Sequence, residues 1–146
     1  MHSASNRPRS RRDRQVYGRW GVSETVEVKT CELEGAALDW AVAVIEGYDL
    51  MKHPFRRAFI PNFGYCDYSP STNWTFGGPL IEKHRFEFEW IGSDWHGEPL
   101  RLFTACGCDM PADATSAGPT HLIAACRAIV RAKLGETINV PAELIK

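Results

Sequence analysis

The chain lacks a membrane-length apolar run: nothing in its 146 residues approaches the roughly 18 needed to cross a bilayer. It lacks the apolar core of a signal peptide, because no such segment follows the basic start. It also lacks paired cysteines. Cys31, Cys66, Cys106, Cys108 and Cys126 make an odd count with one C-x-C, so a disulfide framework is not expected. Reduced thiols in a cytoplasm are the simplest reading. Cys106 and Cys108 could begin a metal site with His84, His96 or His121, but zinc sites use paired ligands and no second pair exists. The pattern favours structural cysteines. No metal and no cofactor are expected.

Catalytic signatures are missing as well. There is no G-x-S-x-G, no H-E-x-x-H and no Walker loop. Asp39, Glu46 and Glu82 offer carboxylates for acid/base work, yet no spacing pairs any two of them. Glu87 and Glu89 alternate with aromatics and read as the wet face of a strand. No catalytic residue is nominated, and the balance leans away from an enzyme.

Charge is present but unevenly placed. Residues 1–21 hold six arginines and one acid, net +5, while the remainder is net −6. An acidic body argues against broad phosphate-backbone binding, which needs Lys and Arg. Nucleic acid is therefore not an expected partner, except through the basic segment. Residues 1–21 read as a disordered Arg-rich tail. Residues 22–146 read as one domain with ample apolar content, 44% hydrophobic.

Within that domain Thr25–Lys29 alternates as a strand. Leu38, Ala41, Val42 and Ile45 follow helical spacing, and Gly47 supplies a left-handed stop. Residues 48–79 read as a long irregular region with four prolines and many aromatics, and a short helix around Met51–Ala58 is an option. Leu80–Ile91 reads as a strand with Phe86, Phe88 and Trp90 inward. Gly92–Gly97 is a turn and Leu100–Ala105 a second strand, giving a hairpin. Cys106–Gly118 reads as a loop. Pro119–Leu134 is the clearest helix, with Leu122, Cys126, Ile129 and Val130 on one face. Arg127, Arg131 and Lys133 suit its C-terminal half. Thr137–Val140 is a short strand. The expectation is an α+β fold: a small, mostly antiparallel sheet with two main helices packed on one face and a long irregular loop between the first helix and the central hairpin.

The segment YSPSTNWTFGGP, Tyr68–Pro79, is the richest in chemistry. Ser69, Ser71, Thr72 and Asn73 bring donors and acceptors. Tyr68 and Trp74 bring flat faces. Gly77 and Gly78 allow close backbone approach. The set suits a nucleotide or similar small molecule. It equally suits a capped turn whose polar groups bond their own backbone while Trp74 fills the core. Thr120, at the start of the last helix, is a second anion-binding candidate.

Three blocks in order, VKTCELEGAALDWAVAVIEGYD, YSPSTNWTFGGPLIE and GPTHLIAACRAIVRAKLGETINVPAEL, resemble the NinX-type family of small phage and prophage proteins. The resemblance spans Val26–Leu144. It implies a temperate-phage accessory protein in the bacterial host cytoplasm, and no particular activity. It implies motif positions at Leu38-Asp39-Trp40-Ala41, at Ser71, Thr72, Trp74 and Gly77-Gly78-Pro79, and at Gly118-Pro119-Thr120. An Asp usually precedes the tryptophan where this chain has Asn73. A Met and an aromatic usually stand at Cys126 and Ile129. The family starts just before the first strand, so Val22, as a GTG start, would make residues 1–21 a gene-start artefact.

With that resemblance, the expectation is a non-catalytic binder of a small nucleotide-like molecule, used to sequester a host defence signal. Its site would be Asp39, Trp40, Tyr68, Ser69, Ser71, Thr72, Asn73, Trp74, Gly77, Gly78, Pro79 and Thr120. Two alternatives stand beside it: an adaptor that inhibits a host protein through its acidic body and aromatic-rich middle, and a nucleotide-processing enzyme using Asp39 or Glu82. A homo-oligomer is left open.

Overall fold

The computed structural model describes residues 24–50 and 57–145. The Arg-rich segment 1–21 and most of the optional helix at Met51–Ala58 lie outside the described residues. Within that span only Arg57 and Ala58 are described, and they open a strand rather than close a helix.

The elements are β1 (Thr25–Lys29), α1 (Gly35–Glu46), β2 (Arg57–Ile60), β3 (Gly64–Asp67), α2 (Trp74–His84), β4 (Phe86–Ser93), β5 (Pro99–Gly107), β6 (Ser116–Gly118), α3 (His121–Leu134) and β7 (Thr137–Pro141). The class is α+β, and every strand pair is antiparallel. The strands form three small sheets: β1–β7, β2–β3 and β4–β5–β6.

Helix α3 is the hub. One side, carrying Cys126, Ile129 and Val130, packs with Leu38, Trp40, Ala41 and Val42 of α1. The other side presents Ala124 and Ala125 to Ala105, Phe86, Phe88 and Phe103 of the three-stranded sheet. Small residues on the helix let those rings lie close, as dense interiors require. The expected face Leu122, Cys126, Ile129 and Val130 is buried throughout. Gly47 ends α1 with φ 85°, the left-handed stop its position suggested.

Helix α2 is the main departure from the sequence reading. In the sequence, residues 74–79 read as loop and Leu80 onward as strand, and Gly77-Gly78-Pro79 opposes a helix locally. Each Gly costs about 1 kcal/mol and an interior Pro about 3 kcal/mol relative to Ala. Tertiary packing overrides this. Phe76, Gly77, Leu80, Ile81 and His84 recur at helical spacing and turn inward. Asn73 caps the start, its side-chain oxygen accepting from Thr75 N–H at 2.9 Å. Strand β4 therefore begins at Phe86, not at Leu80.

The loop expected at residues 48–79 also contains structure, the β2–β3 hairpin. Residues 106–118 contain β6, which adds a third strand to the expected hairpin. The hairpin turn overlaps the expected stretch but starts later, since β4 continues through Gly92 and Ser93; the Asp94 carboxylate accepts from His96 N–H at 2.8 Å and Glu98 N–H at 2.9 Å. Trp90, expected inside, is 53% exposed and keeps contact with the Phe103 ring across the β4–β5 pair.

Arg127 does more than complement a helix dipole. Its Nε donates to Leu33 O and its Nη1 to Ala117 O, both at 2.8 Å. One planar guanidinium thus ties the β1–α1 connection and β6 to the central helix.

Candidate functional site

A groove of about 390 Å³ opens where the N-termini of α2 and α3 meet. Ser71, Thr72 and Trp74 form one wall, Pro119 to Ile123 the other, and Phe103 of β5 closes the end. Both helices are capped here. Thr120 Oγ accepts from Ile123 N–H at 3.1 Å, and Asn73 plays the equivalent part for α2. Two helix N-termini bring two partial positive charges to one spot. Trp74 stands at the rim and is 58% exposed, so it does not plug the core.

His121, first residue of α3, lies at the centre of a ring cluster. Its imidazole is 3.9 Å from the Phe103 ring centre at 32°, 4.8 Å from Phe88 edge-on, and 6.3 Å from Trp74. Sequence reasoning missed Phe103 as a site residue and weighed His121 only as a metal ligand. The signal for Phe103 was present in the hairpin. Register pairs Trp90 with Phe103, so the two share a sheet face.

The expected site residues divide. Ser71, Thr72, Trp74 and Thr120 come together in the groove. Asn73, at the head of α2, is exposed beside them. An Asp at that position would cap the helix through the same kind of oxygen. Ser71 is 1% exposed, and its hydroxyl has no hydrogen-bond partner among the described residues.

Asp39, Trp40 and Tyr68 lie behind the groove in the core. Trp40 is fully buried on α1. Asp39 Oδ1 accepts from the Ser71 backbone N–H at 2.9 Å, holding the segment that precedes α2. Tyr68 packs edge-on against Tyr48 and tilted against Phe76. Burial, with Glu46 nearby, drives its phenol far above the ordinary range. Ser69 contributes its carbonyl, which accepts from Thr72 and Asn73 N–H.

The two glycines also part company. A Cβ on Gly77 would stand 2.4 Å from Pro70 O and 2.5 Å from Leu122 Cδ2, so its close approach is to the protein itself. A Cβ on Gly78 would stand 3.8 Å from Trp74 Cε3, an ordinary contact distance. Pro79 sits exposed within α2.

Other features offer less chemistry. A larger depression of about 950 Å³ beside β1 and the start of α1 mixes Glu27, Glu32 and Glu34 with Lys29 and aliphatics. It has no ring to stack on. Among the described residues no three His, Cys, Asp or Glu side chains group to hold a metal ion. His84, buried at the end of α2, contacts the Asp109 carboxylate through Nδ1 at 2.9 Å. No helix among the described residues is long and apolar enough to cross a membrane.

No curated protein matches the chain. Residues 29–133 match the family model described as Bacteriophage P22, NinX, and the chain belongs to that family.

Proposed function

We propose that this phage accessory protein is a non-catalytic binder of a small nucleotide-like molecule, held in the groove between the α2 and α3 N-termini. The observation that carries the reading is the exposed Trp74 beside two converging helix N-termini. A base would stack on the indole, and a phosphate would meet the first-turn amides of α3 beside Thr120. Ser71, Thr72 and Asn73 would supply hydrogen bonds. Asp39, Trp40, Tyr68 and Gly77 serve the site from behind, by fixing the backbone that carries it. In a phage, such a protein would sequester a host nucleotide signal and blunt a host defence.

Tryptophan fluorescence and calorimetry against a panel of 5′-mononucleotides test this. Saturable binding that is lost in Trp74→Ala is expected. Silence across the panel overturns it.

A second reading, an adaptor that inhibits a host protein, draws on the β2–β3 hairpin. Phe59, Phe63 and Tyr65 are all exposed there, and aromatics are common interface anchors. Stoichiometric recovery of one host protein, lost on replacing Phe59 and Tyr65 with serine, would favour it. Asp39, named in the enzyme reading, accepts from the Ser71 backbone N–H through Oδ1.

A further inference from the structure

We propose that the site continues past the groove to a second ring platform at Trp90 and takes a ligand with two planar rings joined by an anionic linker, a dinucleotide in chemical class. This rests on the nucleotide-binding reading above. The rings form an unbroken band. Trp74 lies 6.3 Å from His121, His121 lies 3.9 Å from Phe103, and Phe103 lies 4.8 Å from Trp90.

A single exposed tryptophan on a surface is ordinary. Here two indoles, both more than half exposed, stand at the ends of one aromatic band that borders a groove. A base stacked on Trp74 leaves Trp90 uncovered, and a second base fills that position.

Trp90 is also held in place before any ligand arrives. Its indole lies near Gly92, where a Cβ would come within 3.3 Å of Nε1, and it packs on the Phe103 ring. A ring fixed in this way loses little freedom on stacking.

The charges agree. Strand alternation puts Glu87 and Glu89 on the opposite face of β4, away from the band. The linker between two bases would cross the groove, where two helix N-termini favour negative charge; the buried Ser71 hydroxyl, without a partner among the described residues, lies in the groove wall beneath.

The test is calorimetric titration of the full chain with AMP, CMP, GMP and UMP, and with the matching 5′-phosphorylated homodinucleotides. At least one dinucleotide should bind about tenfold or more tightly than its mononucleotide, the scale of one added base–aromatic stack. Trp90→Ala should erase that gain and leave mononucleotide affinity within about twofold, while Trp74→Ala should weaken both ligand sets. Trp90→Phe should keep most of the gain, and it serves as the readout if the alanine variant melts early. Equal affinity for both sets, or a dinucleotide gain that survives Trp90→Ala, overturns the inference while leaving the groove reading standing. Silence with every ligand overturns both.

Discussion

The Asp39 carboxylate accepts a 2.9 Å hydrogen bond from the backbone N–H of Ser71, 32 positions along the chain and inside the protein. It links the first helix to the segment that launches the second. Removing a buried charged acceptor leaves the amide without its partner, which costs about 2 kcal/mol or more. Asp39→Ala should lower the urea midpoint accordingly. Asp39→Asn, which keeps an acceptor oxygen, should lose less. Equal stability of Asp39→Ala and the parent would remove this link from the account.

Adjacent glycines should respond in opposite directions. Gly77→Ala forces a methyl against Pro70 O and Leu122 and should destabilise by about 1–3 kcal/mol. Gly78→Ala meets ordinary contact distances and gains helix propensity, so it should raise stability by up to about 1 kcal/mol. Thermal melts of the two variants decide it.

Arg127 should resist conservative replacement. Lysine cannot reach Leu33 O and Ala117 O together from one planar fork. Arg127→Lys should cost about 1–2 kcal/mol, and Arg127→Leu, which strands both carbonyls, should cost more. Hydrogen exchange should show the loss first at Ala117 and its neighbours in β6.

The His84–Asp109 contact sets a pH dependence. The hydrogen bond from His84 holds the Asp109 carboxyl below its ordinary 3.8. A carboxyl whose value falls on folding contributes stability above the unfolded value and loses it as pH drops through the folded one. Stability of the parent should therefore fall more steeply than that of Asp109→Asn below about pH 4. Urea midpoints between pH 6 and pH 2, compared for the two proteins, give the difference directly.

Cysteine reactivity should follow burial. Cys31 and Cys108 are exposed, whereas Cys126 is buried and burial drives its thiol far above the ordinary range. Iodoacetamide should label the first two in the native protein and reach Cys126 only after unfolding. Mass mapping of the labelled peptides is the check.

These sites differ in how far they could be read from the chain. The α1 stripe and its Gly47 stop, the buried face of α3, and the β4–β5 hairpin around Asp94 all follow from local periodicity and turn chemistry. The ordering of blocks that marks the family is also present in the chain, but as a resemblance to known sequences and not as a product of periodicity. Helix α2 could not be read in the same way, because Gly77, Gly78 and Pro79 argue locally against the helix that packing enforces. Trp90 was read as buried from its alternation with Glu89, but alternation assigns a face and not the extent of what covers it.

The candidate site shows the same division. Local sequence chemistry determined that Tyr68–Pro79 is rich in caps, hydroxyls and rings, and the motif order determined the family. Tertiary structure alone decided which of those groups face outward. It turned Trp74 to the surface, sent Trp40 and Tyr68 into the core, and set Asp39 to hold Ser71. It also brought His121 and Phe103, distant from that segment in sequence, against it. The reason is physical: periodicity is a local property of the chain, whereas a groove exists only where elements remote in sequence leave a space between them.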